Sequence, residues 1–187
     1  EFKMRHAQHS QIAAVSPGNY GLDFMKETYG YDLNASVKCS NFIGETIDMA
    51  VECGFEKMLL TGHIGKLVKV SGGIMNTHSR EADCRVELLV AAGLRAGVSR
   101  DNLMKILDSA TTTEAIAYLE EEKKTKPVMD YLMERIIYYM NKRAGGKMKI
   151  ECILYDNQYG ELAKSEGAEE FLHELQHENV NANETTI

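Results

Sequence analysis

Tryptophan is absent from this chain, proline occurs twice and cysteine four times among 187 residues. The cysteines, Cys39, Cys53, Cys84 and Cys152, form no Cys-x-x-Cys pair, which argues against a structural zinc site and a disulfide scaffold. No apolar run approaches the roughly 20 residues that a membrane-spanning helix needs. The opening stretch EFKMRHAQHSQ has no charged-then-apolar leader. Positive charge is also scarce: 21 Lys and Arg stand against 28 Asp and Glu, for a net charge of −7. That balance disfavours general nucleic-acid binding, which draws its affinity from clustered Lys and Arg, yet it leaves room for a local basic patch. The expectation is a reduced, cytoplasmic protein with no nucleic-acid and no membrane partner.

Two glycine motifs are missing as well. TGHIGK, from Thr61 to Lys66, has its glycines too close together and Leu67 after the lysine, so it is not a phosphate-binding P-loop. No G-x-G-x-x-G follows any strand, which makes a standard dinucleotide site improbable and a phosphate-ester enzyme a poor reading.

What is present is strand then helix, repeated with short connections. QIAAV (Gln11 to Val15) stops at Pro17 and Gly18, and LDFMKETYG follows with helical spacing. ASVKCS leads into NFIGETIDMAVECG, where Ile43, Ile47, Ala50 and Val51 share one face. KMLLTG is the third strand. The later half reads as helices. In EADCRVELLVAAGLRAG the stripe is Val86, Leu89, Val90 and Leu94, with Ser79 as the expected cap of a helix starting near Glu81. Ser99 caps the next helix, and a threonine with Glu114 behind it caps the one after. The last of them carries Pro127 in its first turn, the stripe Val128, Leu132, Ile136 and Met140, and Gly145 and Gly146 at its end. KMKIECILYD is a late strand, and NQYGELAKS returns beside it through Gly160 as a possible antiparallel hairpin.

The fold class is therefore α/β: an open, mostly parallel, Rossmann-like sheet flanked by helices, with a helix-rich second half. Residues 1–10 read as a polar lead-in and as a piece of something longer. Residues 11–166 form the α/β domain, and 167–187 a helix and a mobile polar tail.

Open sheets of this kind hold ligands at the carboxyl ends of their strands, which gathers the loops SPGNYG, CSNFIG and TGHIGK. The stretch LLTGHIGKLVKVSGGIMNTHSRE concentrates polar side chains around two bends. His63 and His78 are candidate bases, donors or metal ligands, or else satisfied structural histidines. No third metal ligand has zinc-like spacing, so no protein-bound metal is expected. Lys66 and Arg80, with Lys38 nearby, suit a carboxylate or phosphate if they converge, and are solvated surface if they do not. Asn19, Asn41 and Asn76 shape turns or contact a ligand. Glu45 complements the helix dipole whatever else it does, and Met129, Met133 and Met140 lie at core spacing.

The segments SPGNYGLDF, VKCSNFIGETIDMA and LLTGHIGKLVKVSGGIMNTHSREADCRVELL, above all GHIGKLVK and NTHSR, resemble the CbiD family of cobalamin biosynthesis. The resemblance is densest from Ile12 to about Ala92 and matches the C-terminal portion of longer proteins. It implies methylation of carbon 1 of cobalt-precorrin-5B to give cobalt-precorrin-6A, with S-adenosylmethionine as methyl donor and cobalt carried by the corrinoid substrate. It further implies substrate contacts at Lys66, Asn76, Thr77 and Arg80, and His63 before His78 as catalytic candidates. The donor falls to Gly18, Asn19, Asn41 and Glu45, and an N-terminal domain is expected to pack on this one. Homo-oligomerisation stays open. The competing reading is a non-catalytic domain that binds a carboxylate-rich small molecule.

Overall fold

Alternate residues of β1 (Ile12–Ser16) face opposite sides of the sheet, and both sides are covered, so all five of its residues are buried. The computed structural model describes residues 1–3, 10–18, 22–32 and 36–184. After β1 come α1 (Leu22–Tyr29), β2 (Val37–Lys38), α2 (Ile43–Glu52), β3 (Lys57–His63) and α3 (Ile64–Val70). The helical half holds α4 (Arg85–Ala96), α5 (Arg100–Leu107), α6 (Thr112–Glu121) and α7 (Thr125–Ala144). The chain then returns to the sheet with β4 (Lys149–Asp156) and β5 (Gly160–Lys164), and ends in α8 (Ala168–Glu184).

The strand order is β2-β1-β3-β4-β5, parallel throughout except for the antiparallel β4–β5 pair. From β1 the chain steps outward to β2 and then back across β1 to β3. Right-handed crossovers in opposite directions place α1 and α2 on opposite faces. The core divides accordingly. Ala13, Val15, Met58, Leu60, Cys152 and Leu154 pack beneath α2 to α7. Ile12, Ala14, Leu59 and Ile153 point the other way, onto Met25 of α1 and Phe171, Leu172 and Leu175 of α8.

Local sequence accounts for most helix ends. Ser99 Oγ accepts from Asn102 N at 3.3 Å to start α5, and Thr111 Oγ1 accepts from Glu114 N at 3.1 Å to start α6. α7 buries Val128, Leu132, Ile136 and Met140 and stops at left-handed Gly145. α4 departs from expectation. It starts at Arg85, not near Glu81, and Ser79 caps nothing, because Lys69 Nζ donates to the carbonyls of Thr77 (3.1 Å) and Ala82 (2.8 Å) and holds that segment as a loop. The buried face of α4 is Leu89, Ala92 and Gly93, and Leu94, expected in the apolar stripe, is 69% exposed. α8 runs to Glu184, into the stretch read as tail, and residues 185–187 of that tail lie outside the described residues, as do 4–9 of the lead-in. Among the described residues no helix is long and apolar enough to cross a membrane.

α8 is held by one aromatic anchor. Phe171 is 1% exposed, and the Lys57 and Lys149 ammonium groups lie 5.3 and 5.2 Å from its ring centroid. Lys57 also pairs with Glu174 of the same helix at 2.7 Å. Phe171→Ala is expected to cost about 3–5 kcal/mol through lost burial and the cavity left behind. A urea titration of the variant against wild type measures it, and a loss below about 1 kcal/mol would show that α8 adds little to the second core.

Candidate functional site

The reversal of strand order between β1 and β3 opens a crevice at the carboxyl edge of the sheet, where such folds place ligands. Pro17, Gly18, His63, Lys66 and Tyr155 line it, and its volume is about 20 Å³. That space admits about one water molecule. A larger ligand would lie across the mouth with one group in the crevice.

His63 ends β3 and caps α3. Its Nδ1 accepts from Gly65 N at 3.0 Å, and its Nε2 lies 3.3 Å from Asp156 Oδ2. Because Nδ1 accepts, a neutral imidazole here carries its proton on Nε2, the nitrogen that faces the Asp156 carboxylate. Burial pushes the His63 pKa down, and the Asp156 carboxylate opposes this only in part. Gly65 leaves little room, since a Cβ there would stand 3.2 Å from His63 Nδ1.

One turn along α3, Lys66 Nζ donates to Pro17 O (2.9 Å) and Ser40 O (3.2 Å), tying together the loops that follow β1 and β2. Burial lowers the Lys66 pKa, and nearby Cys39 pulls it upward. Cys39 itself is buried, which pushes its thiol up to about 11, so it is a neutral wall and not a nucleophile. Beside this pair, buried Ser16 and Ser36 share a hydroxyl contact of 2.8 Å, and Lys38 Nζ lies 3.0 Å from each.

A second group forms around the loop after β2. Thr77 N donates to Asn41 O at 2.9 Å, Thr77 Oγ1 donates to Asn41 Oδ1 at 3.2 Å, and Asn76 bridges to Phe42. The segment carrying Asn76 and Thr77 passes so close to α2 that a Cβ on Gly44 would fall 2.8 Å from Met75 Cβ. His78 and Arg80 are exposed at the outer end of this segment, where Arg80 N donates to His78 Nδ1 at 3.0 Å. Thus His63, Lys66 and Gly18 come together, and Asn41, Asn76 and Thr77 come together. His78 is tied to the second group by its backbone N, which donates to Asn76 Oδ1 at 3.2 Å, but it is exposed, as is Arg80 beyond it; Glu45 is exposed in the first turn of α2, and Asn19 lies outside the described residues.

Sequence reading missed Asp156, Thr113 and Tyr155. A single acid closing the buried run CILY was the available signal, because the last residue of a central parallel strand faces the ligand edge. Among the described residues no three His, Cys, Asp or Glu side chains are grouped to hold a metal ion.

Comparison with known proteins bears on what this crevice serves. Residues 76–166 match the family model described as CbiD, C-terminal domain. The chain is 41% identical over 162 residues to a protein of Ruminiclostridium cellulolyticum named cobalt-precorrin-5B C(1)-methyltransferase, covering 87% of this chain and 42% of that protein. It is 36% identical to the like-named Alkaliphilus metalliredigens protein, covering 96% of the chain and 48% of the relative. The Methanocaldococcus jannaschii protein of that name is 38% identical, with coverages of 80% and 41%. The chain belongs to the CbiD family. It spans a little under half the length of these CbiD relatives. No solved structure matches it.

The cap gives the site a pH response. A His63 pKa lowered by folding means that the unfolded chain takes up the proton first as pH falls. The stability contributed by the neutral cap is complete above about pH 6.5 and is lost as pH drops through the folded value. His63→Asn keeps a capping acceptor but cannot titrate. Urea midpoints are therefore expected to fall between pH 7.5 and 5.5 by more in wild type than in His63→Asn, and equal falls would contradict this.

Proposed function

We propose that this chain is the part of a cobalt-precorrin-5B C1-methyltransferase that holds substrate and methyl donor at the carboxyl edge of its sheet. On this reading the reaction yields cobalt-precorrin-6A. The naming of the relatives carries the proposal, and the crevice at the strand-order reversal supports it.

The residues present fit the two reactants. A corrinoid precursor bears several acetate and propionate carboxylates, which need donors that can leave water. Lys66 offers an ammonium already half removed from solvent, and Arg80 supplies a guanidinium at the outer edge. Thr77, braced on Asn41, and Asn76, bridged to Phe42, set the edge along which the macrocycle lies. Gly18, with Asn19 beside it, and Glu45 remain for the donor, together with the backbone of the loop at Asn41. When bound, S-adenosylmethionine supplies an electrophilic methyl group on a positively charged sulfur.

These residues bind, orient and exclude water. Alignment of the two reactants alone supplies on the order of 7–11 kcal/mol in favourable cases, so a strongly basic side chain is not required. His63 serves as a polar wall whose Nε2 faces Asp156 at 3.3 Å. His78, exposed on the outer segment, is the second candidate to touch substrate. The remaining half of the relatives' length is assigned to a domain that closes over the mouth, since a crevice of about 20 Å³ cannot enclose a macrocycle.

Calorimetric titration with S-adenosylmethionine, and then with its demethylated product, tests the donor site. Binding near micromolar, about −8 kcal/mol, is expected. Lys66→Ala is expected to weaken corrinoid binding about tenfold, the equivalent of about 1.4 kcal/mol. Arg80→Ala should cost less, because its side chain is solvated. Unchanged affinity in both variants, with the fold retained, would sink the carboxylate-clamp reading.

A further inference from the structure

Behind His63 lies a carboxylate that is 1% exposed. Asp156 ends β4, and its two oxygens have separate partners. Oδ1 accepts from Gln158 N (2.8 Å) and Tyr159 N (3.3 Å), which is the side-chain turn expected before a hairpin. Oδ2 accepts from Thr113 Oγ1 at 2.8 Å and faces His63 Nε2 at 3.3 Å. The turn to β5 needs only the first oxygen. Taking a carboxylate out of water costs several kcal/mol, and an asparagine would have made the same turn with no buried charge. The retained charge is spent on Thr113 of α6 and on the imidazole of β3.

We propose that Asp156, steadied by Thr113, is a positioning residue that fixes His63 with its proton on Nε2 and thereby sets where α3 carries Lys66. With the proton on Nε2, 3.3 Å from the Asp156 carboxylate, the other nitrogen of the neutral ring is an acceptor, and it accepts from Gly65 N to start α3. Lys66 follows one residue later on the same turn. A ring protonated on Nδ1 would present N–H to the N–H of Gly65, a flipped ring would present Cδ2–H, and either would release the first turn. The groups facing the ring are Asp156 and Tyr155 from β4 and Lys66 from α3, with the Thr112 hydroxyl of α6 near Gly65. Tyr155 packs edge-on at 5.6 Å, and burial pushes its pKa up to about 12, so it stays neutral. Asp156 is thus the one anion facing the ring among the described residues.

The functional consequence rests on the proposed methyl transfer, whereas the positioning itself does not, so the test has two arms. Nitrogen-15 NMR of the histidine rings in this chain reads tautomer and titration. Wild-type His63 is expected to be a single Nε2–H tautomer at neutral pH. Asp156→Asn should give a mixture of tautomers and a lower titration midpoint, because the anion that favours the imidazolium is gone. Thr113→Val keeps the charge, removes one of its donors, and should shift the same signals by less; it serves if Asp156→Asn fails to fold. Wild-type His63 carrying its proton on Nδ1, or a folded variant with an unchanged ring spectrum, would overturn the proposal. In the methyl-transfer assay, Asp156→Asn should lower kcat at least tenfold with little change in donor KM. Full kcat in that variant would likewise overturn it. An inactive wild type would count against the proposed function and leave the NMR arm to decide the positioning.

Discussion

One ammonium group holds the carboxyl edge of this sheet together. A parallel sheet that reverses its strand order must leave two loops diverging, here those after β1 and β2, and their carbonyls lose the ladder that paired the strands. Lys66 replaces that ladder by donating to Pro17 O and Ser40 O. The half-buried position that makes this possible also lowers its pKa. Among the described residues, two of its three protons are committed to carbonyls and neither to a carboxylate. The charge is therefore structural and still uncompensated, which is the state a polycarboxylate ligand would find most favourable.

The same short helix organises the outer segment. Lys69, three residues beyond Lys66, is 2% exposed and donates to the Thr77 and Ala82 carbonyls. α3 thus carries one lysine for each of the two loop systems, and its own start is fixed by His63. Rotating α3 would disturb both at once. Gly44 completes the assembly from the other side, because only a residue without a side chain lets the first turn of α2 approach Met75 this closely. The crevice and the strap of Asn41, Asn76 and Thr77 are parts of one rigid corner rather than independent loops.

Much of this was legible in the sequence. The alternation of strand and helix, the capping residues Ser99 and Thr111, the α7 stripe and the late hairpin are local or periodic signals, and the structure follows them. The grouping of TGHIGK with the Pro17–Gly18 turn followed from the rule that ligands sit at strand carboxyl ends. The misses are long-range. Ser79 and the α4 stripe misled because a buried lysine, not local propensity, decides where that loop ends. Asp156 looked like the last residue of a strand, since nothing near it in sequence announces that β4 will pair with β3 and set it beside His63. The sequence stretch from His63 to Arg80 likewise reads as one cluster, but the bends that make it polar also divide it, leaving His78 and Arg80 at the rim.

Charge then limits how such a site can work. A chain of net charge −7 would repel the acidic macrocycle proposed as its ligand at long range, but at physiological ionic strength the repulsion is screened beyond roughly 8 Å. Recognition has to be made inside that distance, by a few cations whose positions are fixed in advance. That requirement favours Lys66 over the exposed lysines elsewhere, because a tethered ammonium loses less freedom on binding than a solvated one. It also explains the value of placing the buried anion, Asp156, behind the imidazole: the ring and its proton shield the carboxylate from the mouth, so the edge offered to an anionic ligand is made of donors.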